Sequence, residues 1–259
     1  MVDNTKRKQV YEVLLMPIKC EKHCGFGNDR KVNISKEGSC IKTTETYWRP
    51  YKDITTGKLC RYPFKPDCDM SDFACGYYEI IYKDILQDVQ KLVDDDGDLV
   101  NREFAGDTMT SVSKLPQLID RYHCLANFWI VPEFIGRTSK YTPDKYQKWS
   151  KVSNVYNIQD FMDRFLSLVN ENFEVYKSLY PSYFKNIDTF KLFVEIHHLN
   201  GVYVDEEYNS IKFSNNNIDA STSDILFEMM KSRAKKISES EYVDKLWDYF
   251  NEYGIVQIG

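Results

Sequence analysis

No stretch of this sequence approaches the roughly 20 consecutive apolar residues needed to cross a bilayer, so a membrane-spanning protein is not expected. The longest apolar run near the amino end, Val13-Leu14-Leu15-Met16-Pro17-Ile18, falls short of a signal-peptide core of about 7–15 residues and carries a proline. The expected location is therefore the cytoplasm. Charge of one sign is not in large excess: 34 Lys+Arg against 39 Asp+Glu leave a net of −5. That balance disfavours a protein held on nucleic acid by bulk charge, while leaving a local basic patch open. There is no GxxxxGK[ST] phosphate loop, no GxGxxG after a strand, no GxSxG elbow and no HExxH. The common nucleotide-dependent and hydrolase classes lose weight accordingly. Internal repeats and low-complexity tracts are also missing. What is present is a 259-residue chain with 42% hydrophobic residues, which excludes intrinsic disorder and can fill a sizeable core.

The seven cysteines are odd in number and follow no export signal, which argues against a disulfide framework. Six of them, Cys20, Cys24, Cys40, Cys60, Cys68 and Cys75, crowd into the first third of the chain. Zinc asks for four soft or borderline ligands in a tetrahedron, usually as two close pairs on tight turns. Cys20 with His23 or Cys24, before the turn Gly25-Phe26-Gly27-Asn28, offers one such pair. The later cysteines are too widely spaced for a second knuckle. The competing reading is a set of buried thiols acting as small hydrophobes. The 19 tyrosines and 15 phenylalanines imply no particular ligand.

Residues 1–65 lack helical periodicity, with candidate strands at Tyr11–Leu15 and Lys31–Ile34 between glycine and proline turns. From Ser71-Asp72 a helix is expected, because Phe73, Tyr77, Ile80, Ile81, Ile85, Val89 and Leu92 recur at three- and four-residue steps. Pro116 suits the start of a second helix running to about Cys124, and Phe128-Trp129-Ile130-Val131 reads as buried extended chain. Helices dominate after Asn157, with one stripe through Val169, Phe173 and Tyr176 and another through Phe190, Phe193, Val194 and His197. Between Gly201 and Phe213 a hairpin is expected. Ser221 with Asp224 and Ser238 with Glu241 are spaced as capping boxes for the last two helices, and Gly254 suits the final stop. The expected architecture is one α+β domain spanning 1–259, mostly helical: a loop-rich, partly β section over 1–68, then a mainly helical section over 69–259 with a small C-terminal hairpin.

Two polar groupings bear on chemistry. The acidic turn Asp94-Asp95-Asp96-Gly97 fails as a calcium loop, since Leu92 stands where the first carboxylate ligand is needed. A solvated acidic helix end explains it better. The denser grouping is Gly106-Asp107-Thr108-Met109-Thr110-Ser111, followed by Asp120, Arg121, His123, Asn127 and Arg137. An imidazole near carboxylates suits a general base or a metal ligand. Asp107, His123 and Asn127 are thus the candidate catalytic residues, with Thr108, Arg121 and Arg137 as candidate binding residues. The alternative is a turn cap at Asp107-Thr108 and a core histidine beside an apolar run. The neighbouring pair His197-His198 cannot chelate one ion from a helix, because adjacent residues point about 100° apart. Core packing for His197 and surface exposure for His198 are expected.

The segment Gly106-Asp107-Thr108-Met109-Thr110-Ser111 with Tyr122-His123-Cys124-Leu125-Ala126-Asn127-Phe128-Trp129-Ile130-Val131-Pro132 resembles a motif pair of uncharacterised bacterial proteins, GDT(M/I)xS followed by YHxxGNFxxLP. Ala126 and Val131 depart from that pattern. The resemblance covers residues 104–200 or so and implies a bacterial or phage origin without an activity. A more distant likeness is to HNH-type nuclease domains. It implies Asp107 as a ligand to a divalent cation such as Mg²⁺, His123 as the base and Asn127 as neighbour to one of them. The chain departs from that pattern in having no Asp-His dipeptide and no later histidine to complete the metal site.

Three functions follow as expectations. The first is a cytoplasmic interaction or regulatory protein with a structural Asp107/His123/Asn127 cluster. The second is a metal-dependent hydrolase, HNH-like, acting through the same residues. The third is a zinc-stabilised binding module built on Cys20, His23 and Cys24.

Overall fold

The computed structural model describes residues 4–20, 34–43, 48–52, 59–63, 72–82, 123–129, 166, 169–179, 181, 183–202, 204–209 and 220–256. In chain order the described elements are α1 (Asn4–Leu14), β1 (Ile18–Cys20), β2 (Ile34–Glu37), β3 (Cys40–Thr43), β4 (Trp48–Lys52), β5 (Leu59–Pro63), α2 (Asp72–Tyr82), a 3-10 turn (Leu125–Asn127), α3 (Phe173–Leu179), α4 (Phe190–Ile196), α5 (Ala220–Glu239) and α6 (Val243–Glu252). The fold is α+β. Among the described residues no helix is long and apolar enough to cross a membrane.

The amino end departs from the sequence reading. Tyr11–Leu15 is not a strand: residues 4–14 form α1. Val10, Val13 and Leu14 sit at steps of three and one, share a helical face and are fully buried. That face packs on α5 and α6, so tertiary burial outweighs the local β-like run of Val and Leu. Pro17 disfavours helical backbone at the residue before it, and the chain closes with turns from Leu15 N to Glu12 O and Met16 N to Val13 O.

Three strands form a sheet in the order β1-β3-β2, with β1 parallel and β2 antiparallel to β3. Of the strand expected at Lys31–Ile34, Ile34 opens β2 and residues 31–33 lie outside the described residues. Gly38 begins the two-residue connection between β2 and β3 at φ +59°, a left-handed backbone that a tight hairpin needs and glycine adopts without steric cost. Along β3, Ile41 and Thr43 alternate inward and are fully buried. A separate antiparallel pair joins β4 to β5, with Trp48 opposite Pro63 and Lys52 opposite Leu59.

The predicted helix from residue 72 is present as α2, and its apolar stripe of Phe73, Tyr77 and Ile81 is buried. Phe73 stacks on Tyr249 of α6 with centroids 5.6 Å apart, and Phe250 and Tyr253 lie against the same ring. Gly76 permits that approach, because a Cβ there would collide with the Tyr249 ring and hydroxyl.

Neither capping box starts a helix as its spacing predicts. Ser221 lies inside α5, which begins at Ala220. Ser238 lies near the end of α5, where its Oγ donates to Lys235 O, and α6 begins later at Val243 without a side-chain cap. The hydroxyl at this junction is Ser240, which donates to Ile237 O and accepts from Tyr242 N. Hydroxyl residues at helix ends bond backward to carbonyls as readily as forward to amides. Gly254 does stop the last helix, at φ +64°, with Ile255 N closing back to Phe250 O. In the region of the expected hairpin, Asn200 bridges Val204 around Gly201 and the Asp205 carboxylate caps the next turn through Glu207 N and Asn209 N. The second arm, 211–213, the acidic turn 94–97 and residues 116–122 of the helix expected from Pro116 to about Cys124 lie outside the described residues, while Cys124 itself has extended, not helical, backbone.

Candidate functional site

Residues 123–129 cross beneath α5 as an extended chain interrupted by one 3-10 turn. Cys124 and Phe128 flank that turn with β-region backbone angles. The segment is tied to the small sheet by Ile18 N, which donates to His123 O at 2.7 Å. The extended character expected at Phe128-Trp129 is present, and Cys124, Leu125, Ala126, Asn127, Phe128 and Trp129 are all buried.

Over this segment lies a guanidinium. On α5, Met230, Ala234 and Ile237 form a buried stripe at helical spacing, and Arg233 falls on it with 1% of its surface exposed. Its Nη1 donates to Ala126 O at 2.7 Å and Phe128 O at 2.8 Å, and its Nε donates to His197 O at 2.9 Å. One side chain thus joins α5, the 123–129 segment and the end of α4. A planar fork with fixed donor directions is suited to such bridging, where an ammonium is not.

His197 is the second centre. The helix α4 stops at Ile196, so His197 is its C-cap and His198, at φ +57°, is left-handed. His197 is fully buried, as its place on the apolar stripe predicts. His198 is half-buried, which corrects the expected surface exposure: the helix ends before it and turns it inward. The imidazole of His197 lies between two hydroxyls, with Tyr82 Oη 2.8 Å from Nδ1 and Tyr183 Oη 2.9 Å from Nε2. Phe193, Trp129 and Tyr82 pack around the ring with centroids 4.6, 5.2 and 5.3 Å away. Burial, then the nearby Arg233 charge, hold His197 well below the ordinary imidazole pKa, and the same two causes push His198 down to about 3. The neutral ring has one N–H and one bare nitrogen, so one tyrosine donates to it and the other accepts. Burial raises Tyr183 well above its ordinary value, so its hydroxyl stays protonated. Burial also raises Tyr77 and Cys124 to about 12 each.

Of the sequence candidates, His123 and Asn127 fall in this region. Asn127 is 1% exposed, whereas His123 is half-buried with its ring edge-on to Phe128 at 6.0 Å. Asp107, Thr108, Arg121 and Arg137 lie outside the described residues, as do His23 and Cys24; Cys20 ends β1. Among the described residues no three His, Cys, Asp or Glu side chains form a group able to hold a metal ion. Cys40 and Cys124 are free thiols. Sequence reasoning missed Arg233, Tyr82 and Tyr183. Arg233 carried a readable signal, a cation on the same helical stripe as Met230 and Ile237; the tyrosines carried none, being two among 19.

No protein-family model, curated protein or solved structure matches the chain.

Proposed function

We propose that this chain is an interaction or regulatory protein of a bacterium or its phage, acting in the cytoplasm, and that its buried Asn127, His197 and Arg233 are architectural. The observation supporting this reading is the enclosure of the network. Arg233 gives Nε and Nη1 to three backbone carbonyls, both ring nitrogens of His197 meet tyrosine hydroxyls, and both residues are at most 1% exposed. A reaction centre must admit substrate, and these groups are closed to solvent. A buried hydrogen-bonded network instead specifies one packing of the segments it joins.

The test sets this reading against the metal-dependent hydrolase. Asn127→Ala and His123→Ala proteins are melted and incubated with single- and double-stranded nucleic acid in Mg²⁺ or Mn²⁺. The architectural reading expects a lowered Tm for Asn127→Ala and no cation-dependent cleavage by the parent protein. Cleavage by the parent that His123→Ala abolishes, at unchanged Tm, would establish the hydrolase instead.

A further inference from the structure

Cations are not spread evenly along this acidic chain. Residues 47–65 hold Arg49, Lys52, Lys58, Arg61 and Lys65 against a single acid, Asp53, and include five aromatic residues. The strands β4 and β5 fold this segment back on itself. Their register sets Arg49 opposite Tyr62, Pro50 opposite Arg61 and Tyr51 opposite Cys60. Successive residues of a strand alternate between faces, and directly paired residues share one. Arg49, Tyr51, Cys60 and Tyr62 therefore fall on one face, and Trp48, Pro50, Lys52, Leu59, Arg61 and Pro63 on the other. The first face holds no acid and no aliphatic residue, the composition of a solvated face of an antiparallel pair. Pro50 and Pro63, one in each strand, lack a backbone N–H and blunt both edges of the ribbon against further strand pairing. Recognition by strand addition is thereby disfavoured, and recognition through a face is left. Among the described elements, each of these strands packs mainly on the other.

We propose that the β4–β5 face on which Arg49, Tyr51 and Tyr62 are brought together docks single-stranded nucleic acid. A guanidinium pairs with phosphate through its planar fork, and tyrosine rings stack on unpaired bases. Tyr51 and Tyr62 are diagonal neighbours in the register, roughly 7–8 Å apart, which suits platforms for separate bases along one strand. The remaining cations of the segment supply the local attraction that the chain's net charge of −5 opposes. A duplex fits less well, because its bases are already stacked on one another and closed to the rings. The proposal goes beyond the architectural role of the buried network and stands on different residues, so either can fail without the other.

The experiment measures fluorescence anisotropy of a labelled, mixed-sequence oligonucleotide of about 16 nucleotides titrated with the full chain, at several salt concentrations. The duplex of the same sequence and vesicles of phosphatidylserine and phosphatidylcholine are titrated beside it. The expected result is saturable, salt-sensitive binding of the single strand, tighter than to the duplex or the vesicles. Tyr51→Ala/Tyr62→Ala should weaken it by about tenfold or more at unchanged Tm, whereas Tyr51→Phe/Tyr62→Phe, which keeps both rings, should bind as the parent does. Arg49→Gln should lower the slope of log affinity against log salt by about 0.7, a measure that a change in the amount of folded protein does not move. Absence of single-strand binding at low salt overturns the proposal. So does equal or tighter binding of the duplex or the vesicles, or binding that neither the paired alanines nor Arg49→Gln alters.

Discussion

The indole Nε1 of Trp247 donates to Gln9 Oε1 at 2.7 Å, joining the first helix to the last across 238 positions of sequence. Beside it, Lys6 pairs with Asp244 at 3.1 Å and lies 4.7 Å from the Trp247 ring. The two contacts differ in environment. The indole bond is part-buried, whereas the Asp244 side chain is 59% exposed. Gln9→Ala, which leaves a shielded N–H unpaired, should cost about 1 kcal/mol. Asp244→Ala should cost no more than about 0.5 kcal/mol. Urea unfolding of the two variants measures the difference, and a larger loss for Asp244→Ala would contradict the ranking.

Arg233→Met should be among the most damaging single changes in the protein. It fits the apolar stripe of α5 but strands the carbonyls of Ala126, Phe128 and His197. A loss of about 3–5 kcal/mol is expected. Arg233→Lys should recover little of it, because a point-like ammonium cannot span two carbonyls on one side and a third on the other. Denaturant midpoints at an unchanged m-value report both.

Gly76→Ala would ordinarily stabilise a helix by about 1 kcal/mol. Here the added methyl strikes the Tyr249 side chain, which cannot swing away freely because its hydroxyl donates to Phe73 O at 3.0 Å and its ring stacks on Phe73. A net destabilisation of about 1–3 kcal/mol is expected. In the double variant Gly76→Ala/Tyr249→Ala the two losses should not add, since the collision has been removed. Strict additivity would mean that the two residues do not meet.

Acid should destabilise the protein in a window set by two histidines. In the unfolded chain each takes up a proton near pH 6.5. In the folded chain burial and Arg233 hold His197 well below that value and His198 at about 3. The unfolded state then binds more protons, so stability is at its full value above about pH 6.5 and falls as the pH drops, continuing toward pH 3 for His198. Each histidine contributes a slope of about 1.4 kcal/mol per pH unit within its window. His197→Gln should lower the stability plateau and reduce the steepness between pH 6 and 4 by about one proton, read from urea midpoints across that range. An unchanged slope would mean that His197 is protonated in the fold.

Period and punctuation were enough to place α2, the buried run at Phe128-Trp129, the burial of His197 and the stop at Gly254, because each depends on neighbours within a few residues. The same local logic misread Tyr11–Leu15, where burial against helices more than 200 positions away decides for helix. It also misplaced both serine caps, since the spacing of a capping box does not say which backbone group the hydroxyl will choose. For the site, sequence singled out His123 and Asn127 within a dense polar grouping and passed over Arg233, although that cation stands on the apolar stripe of α5. The meeting of that guanidinium with the carbonyls of Ala126, Phe128 and His197, and of His197 with Tyr82 and Tyr183, was decided by tertiary structure alone. Backbone carbonyls have no sequence signature, and a hydroxyl 115 residues from its imidazole partner leaves no trace in either one's surroundings until the chain has folded.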